Sequence, residues 1–81
     1  MKIFIRKSAI KDLKKIDLVL KNSLHDAIQK LSEFPDLPNI KKLTNFEPAY
    51  RLRSGDYRIL FDVIEDTVYI GRVLPRKDSY K

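Results

Sequence analysis

The chain has 81 residues, no cysteine, and 17 Lys and Arg against 11 Asp and Glu, for a formal net charge of +6. This length suits one small domain over residues 1–81, near the lower limit at which a hydrophobic core sustains folding without disulfides or metal. The lack of cysteine excludes a disulfide framework and any thiolate metal site. The basic charge favours acidic or polyanionic partners.

The chain opens with an alternating pattern that predicts a first strand over residues 2–6. Ile3 and Ile5 fall on one side, and Phe4 and Arg6 on the other. The apolar run is short and broken by charge, so it is neither a signal peptide nor a membrane span. We therefore expect a cytoplasmic protein that does not act at a membrane.

Two helices are predicted next. The first runs from about residue 8 to 16, where Ser8 is suited to accept from the free N–H groups of the first turn. The second follows Asp17 as its cap and ends near Phe34-Pro35, because proline biases the preceding residue away from helical geometry. Their apolar stripes are Ile10, Leu13 and Ile16, then Leu20, Leu24, Ile28 and Leu31.

Residues 35–48 contain three prolines and two asparagines, which is typical of a connecting loop. We predict that this loop holds one turn of helix around Ile40 to Leu43. From Ala49 onward the apolar period changes to two, which indicates strands.

A hairpin is predicted around a two-residue turn at Ser54-Gly55. Pairing across that turn places Arg53 opposite Asp56 and Arg51 opposite Arg58. One face then carries Tyr50, Leu52, Tyr57, Ile59, Phe61 and Val63, and the other carries Arg51, Arg53, Asp56 and Arg58. Such a partition is what a sheet with one face packed on helices requires.

The last predicted strand, Thr67 to Leu74, follows a turn at Glu65-Asp66. Simple alternation aims Arg72 into the core, which either a bulge near Gly71 or a snorkelling side chain resolves. The predicted architecture is β-α-α-β-β-β, an α+β fold in which two N-terminal helices pack on one face of a small antiparallel sheet.

Five of the six arginines lie from residue 51 onward, namely Arg51, Arg53, Arg58, Arg72 and Arg76. A guanidinium is a planar fork that matches a phosphate bidentately. Like charges opposed on a sheet destabilise it by about 0.2–1 kcal/mol, so stability alone does not select this pattern. Two interpretations remain open: the side chains splay into solvent beside Asp56 or Asp62, or they form a site for a nucleic-acid phosphate.

The C-terminal residues add an aromatic ring to this charge. Tyr80 either stacks on an unpaired base close to Arg76 or anchors the C-terminus to the sheet. His25 is the only histidine, so the sequence supports neither a zinc site nor a Cys/His nucleophile pair. No glycine-rich phosphate loop occurs. We therefore expect neither a metal nor a cofactor.

The hairpin of residues 50–61, the segment 70–80 and the upstream Lys41-Lys42-Leu43 closely resemble toxins of the RelE/ParE superfamily of toxin–antitoxin modules. The resemblance spans nearly the whole chain. In the RelE branch it implies a microbial-type ribonuclease fold that cuts mRNA without a metal, typically in the ribosomal A site. A ribose 2′-hydroxyl attacks the adjacent phosphorus and leaves a 2′,3′-cyclic phosphate and a 5′-hydroxyl.

The resemblance also implies roles for residues at matching positions. The catalytic set is Arg58, Arg76 and Tyr80. The RNA-binding set is Arg51, Arg53, Lys77, Lys41 and Lys42. A further implied partner is a cognate antitoxin that wraps the sheet and helices, and the resulting complex is expected to bind operator DNA.

This sequence departs from the family pattern at the position of the base. Relatives often have lysine at the positions of Arg51 and Arg53 and histidine at that of Pro75. Arginine stays protonated in proteins, so it is a poor general base. Lys77, Asp78, Tyr80 or the ribosome must then move the proton.

The family resemblance leaves two alternative functions open. A ParE-like toxin inhibits DNA gyrase and cleaves nothing, and a catalytically silent homologue acts only with its antitoxin. The terminal element from Arg76 to Tyr80 favours the nuclease, because a gyrase inhibitor needs neither a phosphorane clamp nor a stacking tyrosine.

Overall fold

The computed structural model describes residues 1–43 and 49–76. Within them the chain forms β1 (Lys2–Ile5), α1 (Lys7–Lys14), α2 (Leu18–Lys30), a 3₁₀ turn (Leu31–Glu33), β2 (Ile40–Lys42), β3 (Tyr50–Ser54), β4 (Tyr57–Ile64) and β5 (Thr67–Pro75). The strand order is β1-β5-β4-β3-β2. The α+β class and the packing of both helices on one face are confirmed. The sheet is mixed, however, because β1 runs parallel to β5.

The segment predicted to form a helical turn is instead the edge strand β2. Residues Ile40–Lys42 pair antiparallel with Tyr50–Leu52 of β3. Asn39 precedes the strand with φ 68, and its backbone carbonyl accepts a hydrogen bond from the Arg53 N–H at 3.1 Å. Three residues carry little local signal, so pairing with β3 decides their conformation.

The two helices begin differently from one another. Asp17 caps α2 as predicted, since its Oδ1 accepts from the Leu20 N–H at 3.1 Å. The prediction for Ser8 is wrong: α1 begins after Arg6, and the Ser8 hydroxyl donates to the Gly71 carbonyl at 2.6 Å. This bond fixes the start of α1 to β5 rather than closing its own first turn.

The core lies between the helices and the covered face of the sheet. Its fully buried members include Ala9, Ile28, Leu31, Ile59, Phe61, Val68 and Ile70. Phe61 is flanked by two further rings, with centroid distances of 5.5 Å to Tyr50 and 5.8 Å to Phe34. These rings join the end of α2 to the middle of the sheet.

The β3–β4 hairpin turns one residue later than predicted. Ser54 pairs with Tyr57, so the turn residues are Gly55 and Asp56. Gly55 adopts φ +59, the conformation that a II′ turn needs at its first central position. Arg53 therefore opposes Arg58, and the register differs from the prediction by two residues. Because side chains alternate with period two, the predicted faces are unchanged.

The predicted bulge near Gly71 is confirmed. The β4–β5 register shifts between Leu60 and Phe61, so Ile70 pairs with Phe61 while Arg72 pairs with Leu60. The extra residue, Gly71, moves Arg72 to the face opposite the core while Val73 stays buried. One strand therefore contributes apolar side chains to the core and a charge to the other face.

Candidate nucleic-acid interface

The sheet face opposite the helices is rich in arginine, and we call it the arginine face. Strand register sets its members in two rows across the sheet. One row contains Lys41, Arg51, Leu60 and Arg72. The other contains Arg53, Arg58 and Leu74. The structure thus brings three of the predicted RNA-binding residues, Lys41, Arg51 and Arg53, onto one surface with the predicted catalytic residue Arg58.

Arg53 and Arg58 form the centre of this surface. They are direct partners across the β3–β4 ladder, which places their Cβ atoms about 4.5–5.5 Å apart. Arg58 is only 3% exposed, whereas Arg53 is exposed. A buried guanidinium has already lost most of its side-chain freedom, so little more is lost when a ligand binds. Arg58 is therefore the preorganised member of the pair.

The end of β5 brings Arg76 to the same end of the sheet. Its backbone N–H donates to the Asp56 carbonyl at 2.7 Å, which fixes Arg76 beside the β3–β4 turn. Pro75, the preceding residue, pairs with Tyr57. Arg76 is exposed and follows the hairpin carrying Arg53 and Arg58. Three guanidinium-bearing residues therefore lie at this end of the sheet, with Arg53 and Arg76 exposed to solvent and Arg58 buried.

The two predicted lysines of β2 do not lie together. Lys41 pairs with Arg51 on the arginine face. Lys42 pairs with Tyr50, whose ring packs in the core, and therefore belongs to the helix-covered side. The structure therefore separates Lys42 from the other predicted RNA-binding residues that it describes, because alternation puts neighbouring residues of a strand on opposite faces.

Arg72, whose orientation the sequence leaves open, lies at the edge of the arginine face. Its Nε donates to Asp12 Oδ2 at 2.8 Å and its Nη2 donates to Oδ1 at 3.2 Å. The hydrogen bond to Asp12 is the main cause that raises the pKa of Arg72 above its ordinary value. Arg72 is thus held by a carboxylate on α1.

Asp12 is the residue that sequence reasoning missed. Its side chain is 10% exposed, and Oδ2 also accepts from the Val73 N–H at 2.9 Å. The available signal was helical spacing: Asp12 lies three residues after Ala9, which is the buried residue of α1. A carboxylate on a packed helix face needs a polar partner. Only the fold shows that Arg72 and Val73 provide it.

The remaining predicted site residues, Lys77 and Tyr80, lie outside the residues that the structure describes. His25 is exposed on α2. Within residues 1–43 and 49–76, no group of three or more His, Cys, Asp or Glu side chains is placed to hold a metal ion. No helix in the same residues has the length and apolar character needed to cross a membrane.

Known proteins resemble this chain over nearly its whole length. A family model described as the ParE toxin of the type II toxin–antitoxin system parDE matches residues 3–80. Toxin RelE3 of Methanocaldococcus jannaschii is 34% identical over 99% of this chain and 96% of its own length. The match therefore includes the strands of the arginine face and both helices.

Solved structures show the same fold. The RelBE2 toxin–antitoxin complex from Mycobacterium tuberculosis matches with a TM-score of 0.79 and 29% identity, over 93% of this chain and 96% of that one. The RelB–RelE antitoxin–toxin complex from Methanococcus jannaschii matches with a TM-score of 0.78 and 32% identity, over 95% and 94%. The likeness therefore extends over the whole fold.

Proposed function

This chain belongs to the RelE/ParE superfamily of type II toxin–antitoxin toxins, and on that premise we propose that it is a metal-independent endoribonuclease that cuts mRNA in the ribosomal A site. The observation that carries the proposal is the opposed pair Arg53 and Arg58 beside Arg76. This arrangement places the fixed charge of the buried Arg58 beside the exposed charges of Arg53 and Arg76. The positive charge stabilises most strongly a phosphate that is gaining negative charge in the transition state.

The reaction begins when the ribose 2′-hydroxyl attacks the adjacent phosphorus. A P–O bond to the 2′ oxygen forms, the bond to the 5′ oxygen breaks, and the products are a 2′,3′-cyclic phosphate and a 5′-hydroxyl. Negative charge grows on the phosphorane oxygens between these events. Arg58 and Arg76 stabilise this charge, and preorganised donors of this kind are usually the largest single term in catalysis.

The other cations of the arginine face bind the RNA backbone. Arg51 and Arg53 contact phosphates next to the reacting one, and Lys41 extends the contact toward β2. Each phosphate contact releases counterions, so affinity falls as salt rises. Proton transfer falls to Tyr80, Lys77, Asp78 or the ribosome, because arginine remains protonated.

A cognate antitoxin is the protein partner of this toxin. Two solved relatives are toxin–antitoxin complexes, and a strongly basic toxin requires an inhibitor when translation must continue. The toxin–antitoxin complex binds operator DNA, and the toxin and the complex act in the cytoplasm.

A second candidate function is inhibition of DNA gyrase. It is favoured by the matching family model, which describes a ParE toxin rather than a RelE toxin. In that case the arginine face contacts a protein and no RNA is cut. A silent homologue, the third candidate, leaves growth unchanged without its antitoxin.

Primer extension on a translated reporter mRNA tests the proposal. The wild-type protein is expressed briefly and compared with Arg58→Ala, Tyr80→Phe and Lys42→Ala. The last variant removes one exposed cation from the helix-covered side, so it is a matched control for net charge.

We expect wild-type protein and Lys42→Ala to cut within codons, while Arg58→Ala and Tyr80→Phe give little or no cleavage. Intact mRNA in arrested, filamentous cells with DNA damage would instead identify gyrase as the target. Intact mRNA with normal growth would identify the silent homologue.

A further inference from the structure

Apart from Arg53, Arg58 and Arg76, which we call the arginine cluster, a second group of side chains lies on the arginine face. It consists of Phe4 and Arg6 from the β1 end and Tyr69 from β5, and we call it the aromatic platform. Phe4 and Tyr69 are register partners whose ring centroids are 5.8 Å apart. The Arg6 Cζ lies 5.0 Å from the centroid of the Tyr69 ring. The three side chains form one continuous surface of rings and guanidinium.

Strand alternation puts this platform on the arginine face. Ile3 and Ile5 pack against the core, so Phe4 between them points the other way. Val68 and Ile70 are fully buried, so Tyr69 also points away from the helices. Tyr69 pairs with Asp62, which is four residues along β4 from Arg58, a distance of about 13 Å. An extended single strand of a few nucleotides spans this gap.

The platform is too exposed to be explained by packing alone. Phe4 is 55% exposed although its ring has a neighbour in Tyr69, and Arg6 is exposed as well. An exposed aromatic ring beside a cationic groove is the usual arrangement in proteins that bind single-stranded nucleic acid, because every base has a π-face that can stack. A guanidinium over a ring strengthens such a surface through a cation–π contact.

We propose that the aromatic platform binds an unpaired base of the same RNA strand whose phosphates bind the arginine cluster. This inference rests on the proposed function and extends its substrate from a single scissile step to a stretch of single-stranded RNA. The base stacks on Phe4 and Tyr69, and Arg6 contacts its backbone phosphate.

Charge favours a nucleotide over an apolar peptide at this place. An apolar partner would bury the Arg6 guanidinium without a counter-charge, which is costly. A nucleotide brings a phosphate with its base. The acidic residue along the way, Asp62, is half-buried, and its Oδ1 accepts from the Ala49 N–H at 2.7 Å. Its carboxylate is therefore turned toward the start of β3.

The test measures binding of labelled 2′-O-methyl oligoribonucleotides by fluorescence anisotropy. These probes lack the attacking hydroxyl, so they are not consumed. A trinucleotide fills the arginine cluster alone, and an octanucleotide also reaches the platform. The proteins are wild type, Phe4→Leu, Phe4→Trp and Arg6→Gln, and the exposure of Phe4 makes a folded Phe4→Leu variant the expectation.

Phe4→Leu should weaken the octanucleotide about tenfold and leave the trinucleotide unchanged, since one stacked base is worth about 1–3 kcal/mol. Phe4→Trp should retain the wild-type affinity. Arg6→Gln should lower the salt slope of octanucleotide binding by about one, because it removes one phosphate contact. Compared with the intact octanucleotide, an abasic octanucleotide should bind more weakly to wild type and equally well to Phe4→Leu.

Equal affinities of wild type and Phe4→Leu for the octanucleotide would overturn the proposal. So would an equal loss for both probes. A Phe4→Leu variant that binds RNA normally but loses affinity for its antitoxin would overturn it in favour of a protein contact.

Primer extension with the same variants separates this inference from the proposed nuclease. Cleavage by wild type without any dependence on the platform refutes the inference and leaves the nuclease in place. Platform-dependent binding of the octanucleotide without cleavage refutes the nuclease and supports the base site.

Discussion

The helix-covered face and the arginine face belong to the same strands, yet they obey different rules. On the covered face, Ile59, Phe61 and Ile70 are fully buried, and every neighbour adds to stability. On the arginine face, Arg53 and Arg58 oppose each other directly, which lowers stability by about 0.2–1 kcal/mol. Because side chains alternate along β4, neighbouring residues of one strand contribute to the core on one face and to the arginine pair on the other. The difference shows that stability and anion binding are separable in this fold, residue by residue.

The largest effect is expected on the covered face. Phe61→Ala should lower the free energy of unfolding by about 3–5 kcal/mol, because it removes a buried ring packed between Phe34 and Tyr50. Urea unfolding followed by circular dichroism measures it, with Phe61→Leu as a milder control. A loss below about 1 kcal/mol would mean that the aromatic packing does not hold the sheet to α2.

The corresponding change on the arginine face should act on activity. Arg58→Ala should reduce the rate of mRNA cleavage about 100- to 1,000-fold, the usual cost of removing one preorganised donor from a developing charge. Single-turnover cleavage gives the rate, and thermal unfolding of the same sample checks its fold. Full activity in the folded variant would exclude Arg58 from the reaction and move the clamp to Arg76.

The contact between α1 and the edge of β5 gives an intermediate effect. Asp12→Ala should cost about 1–3 kcal/mol of unfolding free energy, because the partly buried Val73 N–H loses its acceptor. The ion pair itself adds little, since the Arg72 side chain is 47% exposed. Asp12→Asn keeps an acceptor oxygen and should restore most of the loss. Equal destabilisation by both variants would assign the stability to charge.

The smallest effect is expected for Arg53, the exposed member of the opposed arginine pair. Arg53→Thr should raise the free energy of unfolding by about 0.2–1 kcal/mol, because it relieves the like-charge pair with Arg58. The same variant should lower the salt slope of RNA binding by about one, since a phosphate contact is lost. Lys42→Thr, on the covered side of β2, is the control. If Arg53→Thr leaves both quantities unchanged, the Arg53 side chain neither repels Arg58 nor contacts phosphate.

The local pattern of the sequence was enough to place the strands of the hairpin on the correct faces. It was not enough to fix their register, because Ser54-Gly55 and Gly55-Asp56 are both plausible turns and the choice rests on the φ of Gly55. The predicted faces are nevertheless correct, because the register differs by two residues and side chains alternate with a period of two. The sequence therefore predicted which arginines share a face of the sheet, but not which of them are paired across the ladder.

The features that the sequence did not reveal depend on distant partners. Strand β2 is three residues long and exists because β3 lies beside it. Ser8 bonds to Gly71 across the fold, and Asp12 bonds to Arg72, sixty positions away in the chain. Capping rules and helical periods describe neighbours within one turn, so they cannot identify such contacts.

The bond from the Val73 N–H to Asp12 also has a consequence for how the chain behaves at high concentration. Beyond the end of β1, the outer edge of β5 would otherwise present a free amide to any extended strand. Asp12 occupies that amide, and Pro75 has none to offer. A second chain therefore finds no free amide donor at Val73 or Pro75, which disfavours strand addition and sheet-to-sheet aggregation at this part of the edge.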